Sequence, residues 1–520
     1  MPIDTPPPPL PFRDLPAMIA EHAQRQPDAP AITVGEQTCS YGELDRQMNR
    51  VAASLQRDAV APGTAIAICA GSCIAYLCVF LGALRAGVAA APLAPSSTPA
   101  QLADMVADTG ACHFFVDGPV ATALDESGIA LSPKVRRIRL EPDAPGLTLQ
   151  QWLLPDAAQP APVRMDPTWP FNLIYSSGTT GTPKGIVQSH AMRWAHINRA
   201  GQSGYDPDTI TLMATPLYSN TTLVVVIPTL AWGGRVVLMS RFDAQAYLQL
   251  AQTHRATHTM LVPVQYQRLM ARPDFDSYDL SSYRFKFCTS APFHAALKAD
   301  VVARWPGALI EYYGMTEGGG TCILLAHEHP SKLHTVGQPA EGHDIRLIDE
   351  QGVEVPRGES GEVVGRSPGM MNGYHNQPAK TAEAEWYDSL GQRFIRTGDV
   401  GRFDEDGFLT LFDRRKDMVI SGGFNIYPSD LEAVLRRHPE VADAAVVGVP
   451  SAEWGETPVA FVVMHSGALA AAAAIRQWVN EQVGKTQRLA DLQFIDELPR
   501  SAIGKVLKRE LRAGYQASGA

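Results

Sequence analysis

The sequence predicts an α/β protein. A large N-terminal domain of mixed and parallel sheets flanked by helices, with a small β-barrel-like subdomain, is expected to precede a small α+β C-terminal domain. Three observations carry this. Through the N-terminal part, short apolar runs alternate with stretches whose apolar residues recur at helical spacing. From residue 361 the apolar runs alternate instead with Gly, Asp and Asn turns, the texture of twisted antiparallel structure. A charged stretch, Asp413, Arg414, Arg415, Lys416 and Asp417, then opens a last segment of about a hundred residues, the size of a small domain.

Residues 1–11, with prolines at 6–9, are expected to be a disordered or extended arm. A helix is predicted over 14–22, where Leu15, Met18 and Ile19 are the apolar positions, and a strand over 31–34. Residues 40–56 read as an amphipathic helix, with Leu44, Met48, Val51 and Leu55 on one face and Ser40 and Glu43 spaced for a capping box. A strand at 65–70, a helix ending at Arg85 and a strand at 89–92 follow, an alternation that implies parallel strands joined by crossover helices. A strand at 114–116 precedes a loop at 155–170 and an apolar strand at 171–174. A strand at 185–190 leads into a helix, and the pattern continues through 211–215, an apolar run at 223–230, and strands at 236–239, 259–262 and 285–289. Antiparallel pieces are expected at 361–365, 408–412 and 418–420, then a helix at 429–437, strands at 444–449 and 460–464, and a helix over 470–483 that opens on five alanines.

At 520 residues the chain is long enough for two or more domains, and 45% hydrophobic against 19% charged residues supplies a large core and argues against disorder. A net charge of -10 argues against general affinity for nucleic acid. The seven cysteines (Cys39, Cys69, Cys73, Cys78, Cys112, Cys288 and Cys322) are odd in number and form no C-x-x-C pair. A disulfide framework or zinc site is therefore not expected, and a reducing cytoplasm fits. The N-terminus lacks the basic and apolar regions of a secretory signal. The longest apolar stretch, 74–93, is interrupted by Arg85 and reads as a buried helix and strand rather than a membrane span.

Residues 175–185 read Tyr-Ser-Ser-Gly-Thr-Thr-Gly-Thr-Pro-Lys-Gly. The glycines let the backbone approach a ligand, and the hydroxyls, N–H groups and Lys184 together suit a polyphosphate. The loop is not a Walker A motif, because Lys184 is followed by Gly185 and Ile186 and the glycine spacing differs. Further on, Tyr312, Tyr313, Gly314, Met315, Thr316 and Glu317 bring together a ring for a base, a hydroxyl for a phosphate and a carboxylate for a hard cation such as Mg²⁺. Arg396, Thr397, Gly398 and Asp399 would hold an aspartate in a tight turn, able to accept two ribose hydroxyls. Near the end, Pro499, Arg500, Ser501, Ala502, Ile503, Gly504 and Lys505 present a long cation on a loop. Each alone also has a plain structural reading: a polar surface turn, a buried tyrosine pair, an Asp turn, a solvated lysine.

Taken together and in this order, these stretches resemble the signatures of the adenylate-forming superfamily, and the chain is most similar in pattern to its acyl-CoA synthetases. The resemblance implies an ATP-dependent acid–thiol ligase that makes an acyl-AMP with release of pyrophosphate and then passes the acyl group to coenzyme A. It assigns the nucleotide to Ser176, Ser177, Gly178, Thr179, Thr180, Gly181 and Lys184, to the adenine-side turn Ser290, Ala291 and Pro292, and to Tyr312, Tyr313, Gly314, Met315 and Thr316. Asp399 and Arg414 would hold the ribose, Glu317 and Thr179 the Mg²⁺, and catalysis would fall to Lys505, Thr179, Glu317 and Lys184. Gly373, Tyr374, Asn376 and Pro378 match a further family segment.

The same resemblance divides the chain into an AMP-binding domain at 1–413, a hinge at 414–416 with Lys416 at the pivot, and a mobile domain at 417–520. Gly422, Gly423, Phe424, Trp454 and Arg488 would meet coenzyme A, although Thr486, Gln487, Arg488 and Leu489 depart from the usual Tyr-Lys-x-Pro pattern. The acyl pocket would be walled by Tyr218, Ser219, Thr222, Leu223, Tyr266, Thr289 and Tyr312. Ser219 stands where relatives usually carry histidine, and Tyr312 where relatives with deep aromatic-acid pockets carry glycine, so a shorter or differently directed pocket is expected. Partners would be a small carboxylic acid, ATP and coenzyme A, with no nucleic acid, in a cytoplasmic monomer or homodimer. Two other readings remain: an enzyme that loads an acyl carrier protein, and a catalytically inert nucleotide-binding regulator.

Overall fold

The computed structural model describes residues 11–176, 184–202, 204–414, 417–421, 424–451, 454–501 and 504–515. Helix Tyr41–Arg57 shows how local sequence sets an element. Ser40 Oγ accepts the Glu43 N–H at 3.2 Å and Glu43 Oε2 accepts the Ser40 N–H at 2.8 Å, which closes the predicted capping box. Its apolar face packs on helix Ile74–Arg85. Gly82 permits the close approach, since a Cβ there would sit 2.5 Å from the Val51 Cβ.

The described residues form four sheets. In the nine-stranded one, six neighbouring strands run parallel: Ala308–Tyr313, Phe285–Cys288, His258–Leu261, Ile210–Met213, Arg235–Leu238 and Pro30–Val34. Antiparallel strands finish both edges. Parallel strands put all their carboxyl ends on one side, where ligands commonly bind. The segments leaving that side carry Thr215–Asn220, Val262, Thr289–Ser290 and Gly314–Glu317. The seven-stranded sheet is parallel from Pro170–Ser176 through Ala89–Leu93, Ala65–Cys69 and His113–Val116 to Arg136–Arg139, and Lys184–Ser189 and Gly373–Tyr374 add to it antiparallel.

The apolar run at 223–230 lies within helix Asn220–Ala231, capped by Ser219. The helix contacts three strands of the nine-stranded sheet and also helices Leu15–Arg25 and His190–Gln202. Burial on every side explains its lack of an amphipathic pattern.

The third sheet is antiparallel and centres on the long strand Arg393–Phe403. Its first part pairs with Glu385–Tyr387 and its second with Leu409–Arg414, with the register shifting at Asp399. The fourth sheet begins at Val419–Ser421 and is built on the hairpin Val441–Ser451 and Gly455–Met464, with helices Pro428–Leu435 and Ala472–Asn480 packed on it. The last of these helices opens later than expected. Glu440 Oε2 accepts the N–H groups of Leu469 and Ala470, which ties the first alanines into a turn outside the helix. No helix among the described residues is long and apolar enough to cross a membrane.

Candidate active site

Strand Ala308–Tyr313 ends in two tyrosines that point to opposite faces, as strand alternation requires. Tyr312 packs toward Phe287, with ring centroids 5.7 Å apart. Tyr313 reaches the third sheet and donates its hydroxyl to Asp399 Oδ2 at 2.8 Å. The other Asp399 oxygen lies 3.2 Å from Arg414 Nε, on its cross-strand partner. Thr397 Oγ1 accepts the Asp399 N–H at 3.0 Å and donates to the Val363 carbonyl at 2.9 Å, while Gly398 turns the chain at φ 73°. Burial and the adjacent Asp399 carboxylate keep the Tyr313 hydroxyl protonated well above the usual tyrosine range. The result is a carboxylate oriented from two sides.

The turn that follows is pinned from the seven-stranded sheet. Gln188 Nε2 donates to the Thr316 carbonyl at 2.7 Å, the Met371 N–H donates to the Glu317 carbonyl at 2.8 Å, and Tyr374 Oη donates to Glu317 Oε1 at 2.8 Å. Lys184 Nζ sits 5.0 Å over the Tyr374 ring, so Lys184 and Glu317 flank one aromatic side chain. Glu317 Oε2 accepts no hydrogen bond among the described residues. That fits Mg²⁺, which takes one or two protein carboxylates and completes its shell with phosphate and water oxygens.

Sequence reasoning missed the clamp behind this turn. Arg193 is buried, at 1% exposure, and donates through Nε to Asn172 Oδ1 at 2.9 Å and through Nη2 to Gln188 and to Asn220 Oδ1 at 2.9 Å. Burial with amide partners in place of a carboxylate pushes its pKa down to about 9. Nothing in the linear pattern joins these residues, since they come from two strands and two helices.

The predicted acyl wall divides in two. Thr289 Oγ1 donates to the Tyr312 carbonyl at 2.8 Å, and Ser290, with φ 81°, meets Thr221 across 2.6 Å between hydroxyl oxygens. Tyr218, Thr289 and Tyr312 keep partial exposure beside this turn. Ser219 is spent on capping its helix, and the Thr222 hydroxyl is shared with Thr215 and the Pro216 carbonyl, each at 2.7 Å. Leu223 packs in the main core. Tyr266 is corrected: it is fully buried in the second core with Phe293 and Trp305, and its hydroxyl donates to the Phe287 carbonyl at 2.9 Å. A tyrosine whose ring and hydroxyl are both consumed by the core is not a pocket wall.

Lys505 sits on a small braced loop. Ser501 donates its N–H to the Lys505 carbonyl at 2.8 Å, and Arg500 donates to the Gly504 carbonyl and to Asp443 Oδ2, each at 2.6 Å. Gly504, at φ 76°, lies so close to Val264 that a Cβ would come within 2.8 Å of its Cγ1. Val264 lies in the first turn of helix Pro263–Met270, which follows strand His258–Leu261, so the lysine loop rests at the carboxyl edge of the nine-stranded sheet.

Trp454 is half exposed, at 51%. Ser177, Gly178, Thr179, Thr180, Gly181, Lys416, Gly422 and Gly423 lie outside the described residues, and Ser176 and Phe424 are described by backbone alone.

Residues 19–375 match the model of the AMP-binding enzyme family, and residues 430–505 that of the AMP-binding enzyme C-terminal domain. A feruloyl-CoA synthase from Amycolatopsis sp is 33% identical, covering 95% of this chain and 97% of that one. The fatty acid–[acyl-carrier-protein] ligase ScoC of Streptomyces coeruleorubidus is 31% identical over 96% of both. Among solved structures, ATP-bound MatB from Rhodopseudomonas palustris superposes with a TM-score of 0.84 at 28% identity, covering 97% of this chain and 99% of that one.

Proposed function

The chain belongs to the AMP-binding enzyme family, and from that premise we propose that it activates a small carboxylic acid with ATP and transfers the acyl group to coenzyme A. One observation carries the reading. Groups from distant parts of the sequence converge on the turn after strand Ala308–Tyr313: Glu317 within it, Lys184 through Tyr374 and Asp399 through Tyr313; the Lys505 loop rests on the same carboxyl edge of the sheet, two strands away, through Val264.

A carboxylate resists nucleophiles because its charge is delocalised. In the first half-reaction its oxygen attacks the α-phosphorus of ATP, the P–O bond to pyrophosphate breaks, and an acyl-AMP remains. Lys184 and Lys505 offset the charge that gathers as the two anions meet, and Asp399 fixes the ribose so that attack is in line. Mg²⁺ held by Glu317, and by Thr179 as the resemblance implies, would supply further charge neutralisation at the phosphates. In the second half-reaction the coenzyme A thiol gives up its proton, its sulfur attacks the acyl carbon, and the C–O bond to AMP breaks.

The halves need different surroundings. Strand Leu409–Arg414 ends the third sheet and Val419–Ser421 starts the fourth, which supports a hinge at 414–416 about Lys416 between units 1–413 and 417–520. After adenylation the rotation would withdraw Lys505 and bring Gly422, Gly423, Phe424, Trp454 and Arg488 toward the thiol carrier. We assign the enzyme to the cytoplasm. The ScoC relative supports one second reading, an acyl carrier protein as acceptor.

Isotope exchange from pyrophosphate into ATP with a panel of carboxylic acids tests the first half-reaction. Thioester formation with free coenzyme A, beside a set of carrier proteins, decides the acceptor. No exchange with any acid would leave the inert-regulator reading standing in its place.

A further inference from the structure

The buried guanidinium of Arg193 meets no carboxylate among the described residues. Its hydrogen-bond partners there are three side-chain amides, those of Asn172, Gln188 and Asn220, and its Nη1 is buried with no partner among them. A buried cation held only by amides costs stability that an apolar side chain of like size would not. What the cation does is set the direction of its neighbours. A guanidinium only donates, so each amide must turn its oxygen toward it. Gln188 Oε1 accepts from Arg193 Nη2 and also from Asn172 Nδ2 at 2.9 Å, and both amide residues are fully buried. The Gln188 amide nitrogen is left facing away from the cation, where it donates to the Thr316 carbonyl at 2.7 Å. Without the cation that amide has two orientations, and one of them offers the carbonyl an oxygen instead of an N–H.

The carbonyl so held belongs to the planar peptide that joins Thr316 to Glu317. The next carbonyl, that of Glu317, accepts the Met371 N–H at 2.8 Å. The Glu317 Cα therefore lies between two peptide planes that are each held from outside the turn, and Tyr374 then takes hold of Oε1. Arg193 reaches the acid side as well. Asn220 opens the helix that Ser219 caps, and Tyr218 of the expected acyl wall precedes that cap.

We propose that Arg193 is a positioning residue for acyl-AMP formation: it locks Gln188 with its N–H toward Thr316, and so fixes the turn that presents the Thr316 hydroxyl to the phosphates and the Glu317 carboxylate to Mg²⁺. This rests on the ligase reading above.

The test is Gln188→Glu, with pyrophosphate exchange, thioester formation from a supplied acyl-adenylate and thermal melting measured side by side. A carboxylate at this position pairs with Arg193 and accepts from Asn172, so the melting temperature is expected to hold. Arg193 keeps that carboxylate ionised, and an ionised carboxylate cannot donate to Thr316. Exchange is expected to slow by about tenfold to a hundredfold, the scale of a small misplacement of reacting groups, while thioester formation stays within a few fold of wild type. Arg193→Lys, which keeps a cationic donor beside Gln188, is expected to lose less. Unchanged exchange, equal losses in both half-reactions, or a loss that comes with a fallen melting temperature would each make the network a plain core contact and overturn the inference. So would a larger loss from Arg193→Lys than from Gln188→Glu, because the cation would then act by another route. A wild-type enzyme that exchanges pyrophosphate with no acid overturns the ligase reading instead.

Discussion

Tyr374 Oη lies 2.8 Å from Glu317 Oε1, and this bond ties an edge strand of the seven-stranded sheet to the turn that leaves the nine-stranded one. The tyrosine aims the carboxylate while its ring stays under Lys184. Tyr374→Phe keeps the ring and frees the carboxylate. A hydrogen bond to a charged group contributes about 1.5–3 kcal/mol, so the variant is expected to need roughly tenfold more Mg²⁺ for half-maximal rate, with the KM of the acid little changed. A Mg²⁺ titration of initial rates reads this directly. An unchanged titration curve would mean that Glu317 does not hold the metal.

Asp399 is oriented by Tyr313 on one oxygen and Arg414 on the other. Asp399→Ala removes the acceptor assigned to the ribose and leaves both partners without it. The KM for ATP is expected to rise by about tenfold to a hundredfold, in line with a charge-assisted bond, while Tyr313→Phe has a smaller effect because the aspartate remains. If ATP affinity, measured by titration calorimetry, survives Asp399→Ala, the ribose is held elsewhere.

Lys505 is assigned to one half-reaction alone. Lys505→Ala is expected to slow acyl-AMP formation by about a hundredfold or more, the usual cost of removing an electrostatic stabiliser. Thioester formation from a supplied acyl-adenylate is expected to stay within a few fold of wild type. Rapid-quench measurement of the two steps separates them, and equal losses in both would remove the lysine from its role.

What could be read from the sequence follows from how far each signal reaches along the chain. The capping box of helix Tyr41–Arg57 and its apolar face involve residues a few positions apart, and both are present as expected. Helix Asn220–Ala231 gave no periodic signal because it is apolar on all sides. Within the site, the runs ending in Lys184, Glu317, Asp399 and Lys505 are contiguous and were recognisable. Their pairings are not: Tyr313 and Asp399 are 86 residues apart and Tyr374 and Glu317 are 57 apart, and a single sequence holds no record of which partner each side chain meets. Tyr266 misled for the converse reason. A tyrosine satisfied by a core carbonyl and one that lines a pocket look the same in a string of letters.

The buried histidines make stability depend on pH with a definite sign. Burial holds His190 near pKa 4 and, aided by the Arg284 charge, His258 near 3, against about 6.5 in the unfolded chain. Between those values the unfolded chain carries protons that the folded one refuses, so stability rises with pH across that window. The contribution is fully present above about pH 6.5 and is lost as pH falls toward 4, at a cost on the order of 3 kcal/mol for each ring. Both rings are nearly inaccessible, at 2% and 0% exposure, so solvent screening does little to soften this. Half-denaturation temperatures at pH 7, 5.5 and 4.5 should fall steadily. His258→Phe suits a site whose neighbours are Tyr205, Phe285 and Phe287, and it should flatten the slope by the share of one titrating group. An acid slope identical in wild type and variant would show that His258 takes up its proton equally easily in both states, against the burial found here.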